Sequence, residues 1–293
     1  MLITVIGDAF IDITVPVEDT NPGETHTRKI SLQCGGTANV SRGITQCGGK
    51  TAFVGRIGKD LFGQFFKNCL KKSNVRDVSF IDTKYPTGVC ISTTHARGER
   101  TLLVDRGAND FFCESEFLKK RSLFSQSDVI YISGYSLQSK KNDNVIKKCL
   151  DLFHTDSQKD SQKIIFNPGA PNIITTEQIE FIKKYVDILI LNFDEARKMT
   201  QSESQERIGK QIKKIVDTAI ITHGSKGCLL IDHDQLSSIK TPSIHALDTT
   251  GAGDAFSSGF IVGLFNGNSL IDACNMGNEF AGKIIVQKNE ALQ

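Results

Sequence analysis

No C-x-x-C pair occurs in this 293-residue chain, although it carries eight cysteines: Cys34, Cys47, Cys69, Cys90, Cys113, Cys149, Cys228 and Cys274. Their scatter argues against a disulfide framework and against a zinc site. Most are expected to be buried small hydrophobes in a reducing compartment. None of the six histidines (His26, His95, His154, His223, His233 and His245) has the spacing of a metal ligand.

An excess of charge is also missing. Thirty-five basic residues against 33 acidic ones leave a net charge of +2, with no block of one sign. That speaks against nucleic acid or a membrane surface as the main partner. The basic runs Lys71-Lys72, Lys119-Lys120-Arg121 and Lys213-Lys214 read as solvated helix faces. No apolar run approaches membrane-spanning length; the best, Gly259 to Phe265, is far too short. The opening MLITVIGDAFID has no basic lead-in, and Asp8 and Asp12 interrupt it, so no signal peptide is expected and the cytoplasm is the expected location. There is no G-x-G-x-x-G after the first apolar run, which disfavours a dinucleotide site. Gly49-Lys50-Thr51 has the end of a Walker A loop, but its required first glycine falls on Ile44. No internal repeat, low-complexity tract or linker stands out.

What is present is an alternation of short β-branched runs and helix-like stretches. With 39% hydrophobic residues the chain can bury a sizeable core, as two ordinary domains or one large α/β domain. Strands are predicted over Leu2–Ile6, Thr51–Val54, Val129–Ile132, Ile164–Phe166, Ile188–Leu191 and Ala219–Thr222. Helices are predicted over Leu61–Lys72, Asn144–Phe153, Thr176–Tyr185 and Gln205–Ile215. This order implies βαβ crossovers and a mainly parallel sheet covered on both faces, with ligands at the carboxyl ends of its strands. Two stretches, Ile13–Ile30 and Thr87–Val104, alternate apolar and polar residues instead. Each reads as a hairpin, the second turning at Arg97-Gly98-Glu99, and together they predict a small separate sheet over the ligand end.

The densest chemical signal is Asp248-Thr249-Thr250-Gly251-Ala252-Gly253-Asp254-Ala255-Phe256, followed directly by a helical pattern. Gly-Ala-Gly at a helix start leaves unhindered N–H groups where the helix dipole favours an anion. Asp254 then lies in the first turn, placed to take a hydroxyl proton while the oxygen attacks a bound phosphoryl group. A glycine-rich loop capping a helix is the plainer alternative. Asn192 and Glu195 fall near one another at a strand end and can orient Mg²⁺ through water, or serve as an N-cap with an acidic first turn. Thr222 and Gly224 offer a hydroxyl and open backbone to a nucleotide, or a tight turn. Asp12 and Asn39 read either as ligands of a hydroxylated acceptor or as turn and N-cap residues.

Asp248 to Phe256 resembles the second signature of the PfkB, or ribokinase-like, carbohydrate kinases, and the resemblance extends over nearly the whole chain. Gly7-Asp8 with Asp12 resembles the first strand's end, where an aspartate grips substrate hydroxyls. Cys34-Gly35-Gly36-Thr37-Ala38-Asn39 resembles Gly-Gly-x-x-Ala-Asn, with Cys34 in place of its first glycine. Gly55-Arg56-Ile57-Gly58-Lys59-Asp60 with Gly63 completes the first signature. Asn167-Pro168-Gly169-Ala170-Pro171 is similar to a ribokinase strand end. Asn192-Phe193-Asp194-Glu195 matches Asn-x-x-Glu, and Thr222-His223-Gly224-Ser225-Lys226-Gly227 resembles the nucleotide loop, which His223 borders.

The resemblance implies a single domain over 1–293: a three-layer α/β/α, ribokinase-like fold with a mainly parallel sheet and a β-sheet lid at about 13–30 and 87–104. It implies an ATP- and Mg²⁺-dependent kinase acting on a primary hydroxyl of a small sugar. Asp254 is then the base and Gly251, Ala252 and Gly253 the anion hole. Asp12, Gly35, Gly36 and Asn39 bind the acceptor; Asn192, Thr222, Gly224, Gly227 and Asn278 bind the nucleotide. Asn192 and Glu195 organise the magnesium. Asp248 and Thr250 match residues that help bind a monovalent cation, K⁺, although the family's later glycine is replaced by Glu290. A nucleoside is the alternative acceptor, favoured if lid aromatics stack; the candidates are His26, Tyr85 and His95, with Phe10, Phe111 and Phe112 alongside. A non-catalytic sugar-binding regulator is the third reading, and a homodimer through the lid is expected.

Overall fold

The computed structural model describes residues 1–17, 27, 30–95, 100–156, 162–246 and 248–292. Fifteen strands are described. They are β1 (Ile3–Ile6), β2 (Ala9–Val17), β3 (Ser31–Gly36), β4 (Thr51–Val54), β5 (Arg56–Gly58), β6 (Arg76–Asp77), β7 (Phe80–Asp82), β8 (Gly88–His95), β9 (Arg100–Asp105), β10 (Val129–Ser133), β11 (Lys163–Asn167), β12 (Ile188–Asn192), β13 (Thr218–Thr222), β14 (Cys228–Asp232) and β15 (Gln235–Ile239). The helices are α1 (Ala38–Gln46), α2 (Leu61–Lys72), α3 (Glu114–Leu118), α4 (Arg121–Gln126), α5 (Lys140–Asp156), α6 (Thr176–Tyr185), α7 (Phe193–Thr200), α8 (Gln205–Ile212), α9 (Ala252–Phe265) and α10 (Leu270–Leu292). None of them is long and apolar enough to cross a membrane.

Nine strands form the main sheet in the order β15-β14-β13-β12-β11-β10-β1-β4-β6. Its strands from β13 to β6 run parallel, as predicted, while β14 and β15 add an antiparallel hairpin at one edge. Successive side chains of a strand point to opposite faces, and the core follows that rule. Val54, Ile130, Ile132, Ile164 and Phe166 pack into one layer under α3 to α8. Phe53, Val129, Tyr131 and Ile165 alternate into the other, with residues of α1, α2, α9 and α10. A sheet buried on both faces explains why its strands read as unbroken apolar runs.

Helix ends follow local chemistry. The Asp60 carboxylate accepts from the Gly63 amide at 2.7 Å and starts α2, and the Thr175 hydroxyl accepts from the Gln178 amide to start α6. Both helices occupy the predicted bounds. Helix α8 stops at Ile212, before the predicted Ile215, and α5 extends beyond 144–153 at both ends. All eight cysteines are unpaired; Cys34, Cys149, Cys228 and Cys274 are buried and the other four are half-buried.

A four-stranded sheet, β3-β2-β8-β9, stands apart from the main one. Two antiparallel pairs, β2/β3 and β8/β9, join through parallel β2 and β8. Strand β2 begins at Ala9 and β3 at Ser31, so the first pair overruns the 13–30 excursion on both sides. His26 and the turn Arg97-Gly98-Glu99 lie outside the described residues. Cross-strand partners share a face. One row is Gln33, Asp12, Cys90 and Val104; the next, on the opposite face, is Leu32, Ile13, Ile91 and Leu103.

Helix α9 is buried from Ala255 to Gly263. It packs closely on α10, because a Cβ on Gly259 would lie 2.7 Å from the Met276 carbonyl oxygen and 3.0 Å from Gly277 Cα. Backbone on both sides cannot yield cheaply. Gly259→Val is therefore expected to destabilise the fold by about 1–3 kcal/mol, as overpacking of a core does. Urea denaturation with an unchanged midpoint would contradict that packing argument.

Candidate active site

The carboxyl ends of the main sheet open into two cavities that share one helix terminus. The first, about 490 Å³, is lined by Asp8, Asp12, Gly36, Asn39, Arg106, Tyr135, Asn167 and Asp254 among others. The second, about 340 Å³, is lined by Thr222, Gly224, Gly227, Ala252, Gly253 and Asn278, with Pro242, Ile244, Phe256 and Ile285. Between them stands the start of α9. Gly251 sits there at φ +80°, a left-handed conformation that favours glycine. Gly251 stands at the N-cap and brings no side-chain cap to this helix, whose positive end suits an anion. The Ala252 amide is engaged by the Thr249 carbonyl at 3.1 Å. A Cβ on Gly253 would meet nothing within 4 Å, so the terminus is open to approach.

Asp254 lines the first cavity and accepts a hydrogen bond from Asn39. Burial pushes its pKa up to about 6, with the Asn39 bond opposing and the nearby Asp12 charge adding to the rise. Asp12 is likewise raised by burial to about 6, opposed by the Lys288 and Arg42 charges. Its carboxylate lies over Gly35, where a Cβ would come within 1.9 Å of Oδ2, so only glycine fits beneath it. Gly35 is thus a floor for Asp12, while Gly36, Asn39 and Asp12 themselves reach the cavity. Cys34, one residue earlier, is buried in β3 and accepts from Arg42 at its carbonyl, at 3.2 Å.

The remaining predicted residues divide. Thr222, Gly224, Gly227 and Asn278 gather in the second cavity. Asn278 is buried and donates to the Cys228 sulfur at 4.0 Å. Asn192 and Glu195 line neither cavity but close a reciprocal cap on α7. The Asn192 amide and Nδ2 donate to the two Glu195 oxygens at 2.9 and 2.6 Å, and the Glu195 amide donates back at 2.9 Å. Burial raises Glu195 to about 6. Asn192 is aligned with Thr222 on the neighbouring strand, so this cap adjoins the second cavity's rim. Asp248 and Thr250 meet the ammonium group of Lys288, at 3.2 Å from Oδ2 and 2.6 Å from the Thr250 carbonyl. His223 stacks on Phe193 with ring centroids 4.1 Å apart, outside the second cavity's lining.

Several side chains at the site carried no sequence pattern. Arg106 donates to Asp8 at 2.9 Å, to Asp110 at 2.7 Å and to the Tyr135 carbonyl at 3.2 Å. Asp8 is only 2% exposed and also accepts from the Ser136 hydroxyl at 3.0 Å. Burial raises its pKa, opposed by the Arg106 charge and hydrogen bond. Losing one partner of such a pair typically costs about 3–5 kcal/mol. Ser133 ends β10, and Tyr135 and Gln138 follow it; polar residues after a predicted strand were the available signal. Of the aromatic candidates, Phe10 lines the first cavity, Tyr85 stacks on Phe111 at 3.7 Å away from it, and Phe112 is fully buried. A larger recess of about 650 Å³ lies between Leu2, Lys50 and Arg76, at the amino ends of β1, β4 and β6, away from these motifs.

The family model for pfkB family carbohydrate kinases matches residues 1–292. The chain belongs to the pfkB family of carbohydrate kinases. Ribokinase from Haemophilus influenzae is 27% identical over 298 aligned residues, covering 98% of this chain and 92% of that protein. Adenosine kinase from Saccharomyces cerevisiae is 26% identical over 268, covering 85% and 77%. The solved structure of adenosine kinase from Sinorhizobium meliloti superposes with a TM-score of 0.86 at 21% identity, covering 97% of this chain and 94% of that one. The fold is accordingly ribokinase-like, and the pfkB family members matched here are kinases of sugars or nucleosides.

The raised pKa of Asp254 has a consequence for this kinase's stability. A carboxyl that titrates near 3.8 unfolded and near 6 folded binds its proton more tightly in the folded state. Stability from this group is full below about 3.8 and lost as pH rises to about 6. Asp254→Asn should therefore gain stability relative to the parent across that window and hold the gain above it. Melting temperatures of both proteins between pH 4 and 8 check this; a difference independent of pH contradicts it.

Proposed function

We propose that the protein is an ATP-dependent kinase that transfers the γ-phosphoryl group to a primary hydroxyl of a small sugar of the ribose or fructose type. The observation that carries this reading is the single helix terminus shared by the two cavities. It supports a nucleotide in the Thr222–Asn278 cavity, an acceptor in the Asp12–Asn39 cavity, and phosphorus between them at Gly251, Ala252 and Gly253. Asp254 takes the hydroxyl proton as the acceptor oxygen bonds to phosphorus and the ADP oxygen leaves. Asp12, Gly36 and Asn39 hold acceptor hydroxyls, with Gly35 beneath Asp12. Phosphoryl transfer depends mainly on such positioning and charge neutralisation.

Magnesium fits Asn192 and Glu195 through water. Each Glu195 oxygen accepts one bond from Asn192 and retains lone-pair capacity for an ordered water. Among the described residues no group of three His, Cys, Asp or Glu gathers as a metal cage. Mg²⁺, when bound with ATP, would supply neutralisation of the phosphate charge.

A nucleoside is the second reading. Phe10, Cys90, Leu102, Val104 and Tyr135 give the acceptor cavity an apolar side that can receive a base. An ADP-release screen against pentoses, hexoses, sugar phosphates and nucleosides separates the two. With the acceptor found, Asp254→Asn is expected to lower kcat about 10²–10⁴-fold while changing acceptor affinity little. In the parent, kcat/KM should fall below about pH 6, where Asp254 gains its proton. Near-normal turnover of the variant would remove Asp254 as the base.

The lid also supports a homodimer. Leu32, Ile13, Ile91 and Leu103 share the face opposite Asp12, and Leu32 and Leu103 are 46% and 60% exposed. A second copy of that face is a self-complementary cover. Ile91→Asp is expected to shift the protein from dimer to monomer in sedimentation while ATP affinity stays unchanged. A parent that sediments only as monomer with acceptor present overturns the dimer.

A further inference from the structure

Lys288 lies near the end of α10, and its ammonium group joins two oxygens at the base of the anion-binding turn. It is 2.6 Å from the Thr250 carbonyl and 3.2 Å from Asp248 Oδ2. The other Asp248 oxygen accepts from the Thr250 amide at 2.8 Å. Carboxylate, turn and lysine are thus joined by these bonds, and the turn leads directly into Gly251. Burial acts to raise the Asp248 pKa, but bonds from Thr250 and the Lys288 charge hold it at about 2. Asp248 is therefore ionised, and Lys288 neutralises it.

Lys288 also faces a small cavity of about 150 Å³ together with Asp12, Asn39, Arg42, Gly251 and Asp254. Its positive charge opposes the burial-driven rise of both Asp12 and Asp254. The pair Asp248 and Thr250 is the pair that the family resemblance assigns to K⁺. Here a resident cation holds both oxygens, and a second positive charge beside it would meet repulsion. The residues present do not fit a free monovalent ion while Lys288 keeps this position.

We propose that Lys288 is the built-in cation of this site, a positioning residue that fixes the Asp248–Thr250 turn and places a permanent positive charge behind Gly251–Gly253. The proposal rests on the kinase reading above. It follows that nucleotide binding is indifferent to the monovalent ion in solution. It also follows that removing the ammonium group creates an ion requirement that the parent lacks.

The test is calorimetric binding of Mg²⁺ with a non-hydrolysable ATP analogue, at equal ionic strength in potassium chloride and in tetramethylammonium chloride. The parent should bind equally in both, within about twofold. Lys288→Met should bind about tenfold or more weakly in tetramethylammonium, the scale of losing a charged hydrogen bond, and recover in potassium or ammonium. Lys288→Arg should retain the parent's indifference. A purely structural lysine would give no ion-specific recovery. A parent whose affinity rises severalfold in potassium overturns the proposal without any variant, as does Lys288→Met binding like the parent in tetramethylammonium. Absence of analogue binding by the parent in either salt would instead bring down the kinase reading, and this proposal with it.

Discussion

Everything at the site depends on where helix α9 begins, and burial of that helix decides it. The helix can be buried although it carries Ser257 and Ser258, because each hydroxyl returns a hydrogen bond to the carbonyl four residues earlier, at 3.0 and 2.7 Å. Ser258 also reaches the Val40 carbonyl at 3.0 Å and ties α9 to α1, the helix that carries Asn39. Gly259 lets α10, which carries Asn278 and Lys288, approach from another side. Asn39, Asp254, Asn278 and Lys288 thus hang on α1, α9 and α10, with α9 packed against the other two. Phosphoryl transfer is sensitive to small displacements.

The charge distribution follows from the same enclosure. Asp12 and Asp254 face one cavity, and burial raises both to about 6. A proton acceptor gains driving force from a raised pKa, provided it remains ionised near neutrality. Arg42 and Lys288 limit the rise in Asp12, and Asn39 and Lys288 limit the rise in Asp254. Asp8, by contrast, is held by Arg106 and Ser136 and has the partners of a structural carboxylate, although it borders the same cavity.

Contiguous chemistry was legible in the sequence, and long-range pairing was not. The inner strands stood out because both their faces are buried, and α2 and α6 occupy the predicted bounds, their starts fixed by Asp60 and Thr175. The Asp248–Phe256 string was readable because turn, helix start and carboxylate lie within nine residues. The edge hairpin β14/β15 was missed because its outer strand is largely exposed and has no apolar run. Parallel pairing of β2 with β8 joins segments about 80 residues apart, and no local pattern encodes that. Arg106 and Lys288 were invisible for the same reason: their partners lie 98 and 40 residues away, at Asp8 and Asp248.

The lid is tied down at both of its inner roots. Before β8, Thr87 donates from its amide and hydroxyl to Asp60, each at 2.7 Å, and so joins the lid to the start of α2. After β9, Arg106 joins the lid to Asp8 at the end of β1. Gly58, whose amide donates to the Thr87 hydroxyl at 2.9 Å, strengthens the first root. Neither root is a loose hinge, since Asp60 satisfies three donors within α2 and the lid. Under the proposed function, closure over an acceptor would bend the strands beyond these two points rather than swing the sheet as a plate. Asp12 sits in β2 beside β8, at the level of Cys90 and Val104, beyond both roots. Such bending would carry Asp12 with the lid, while Asn39 and Asp254 stay on the packed helices. Under the proposed function the acceptor would be gripped between Asp12 on the small sheet and Asp254 on the packed helices, and that coupling would give the small sheet a direct part in orienting the hydroxyl for transfer.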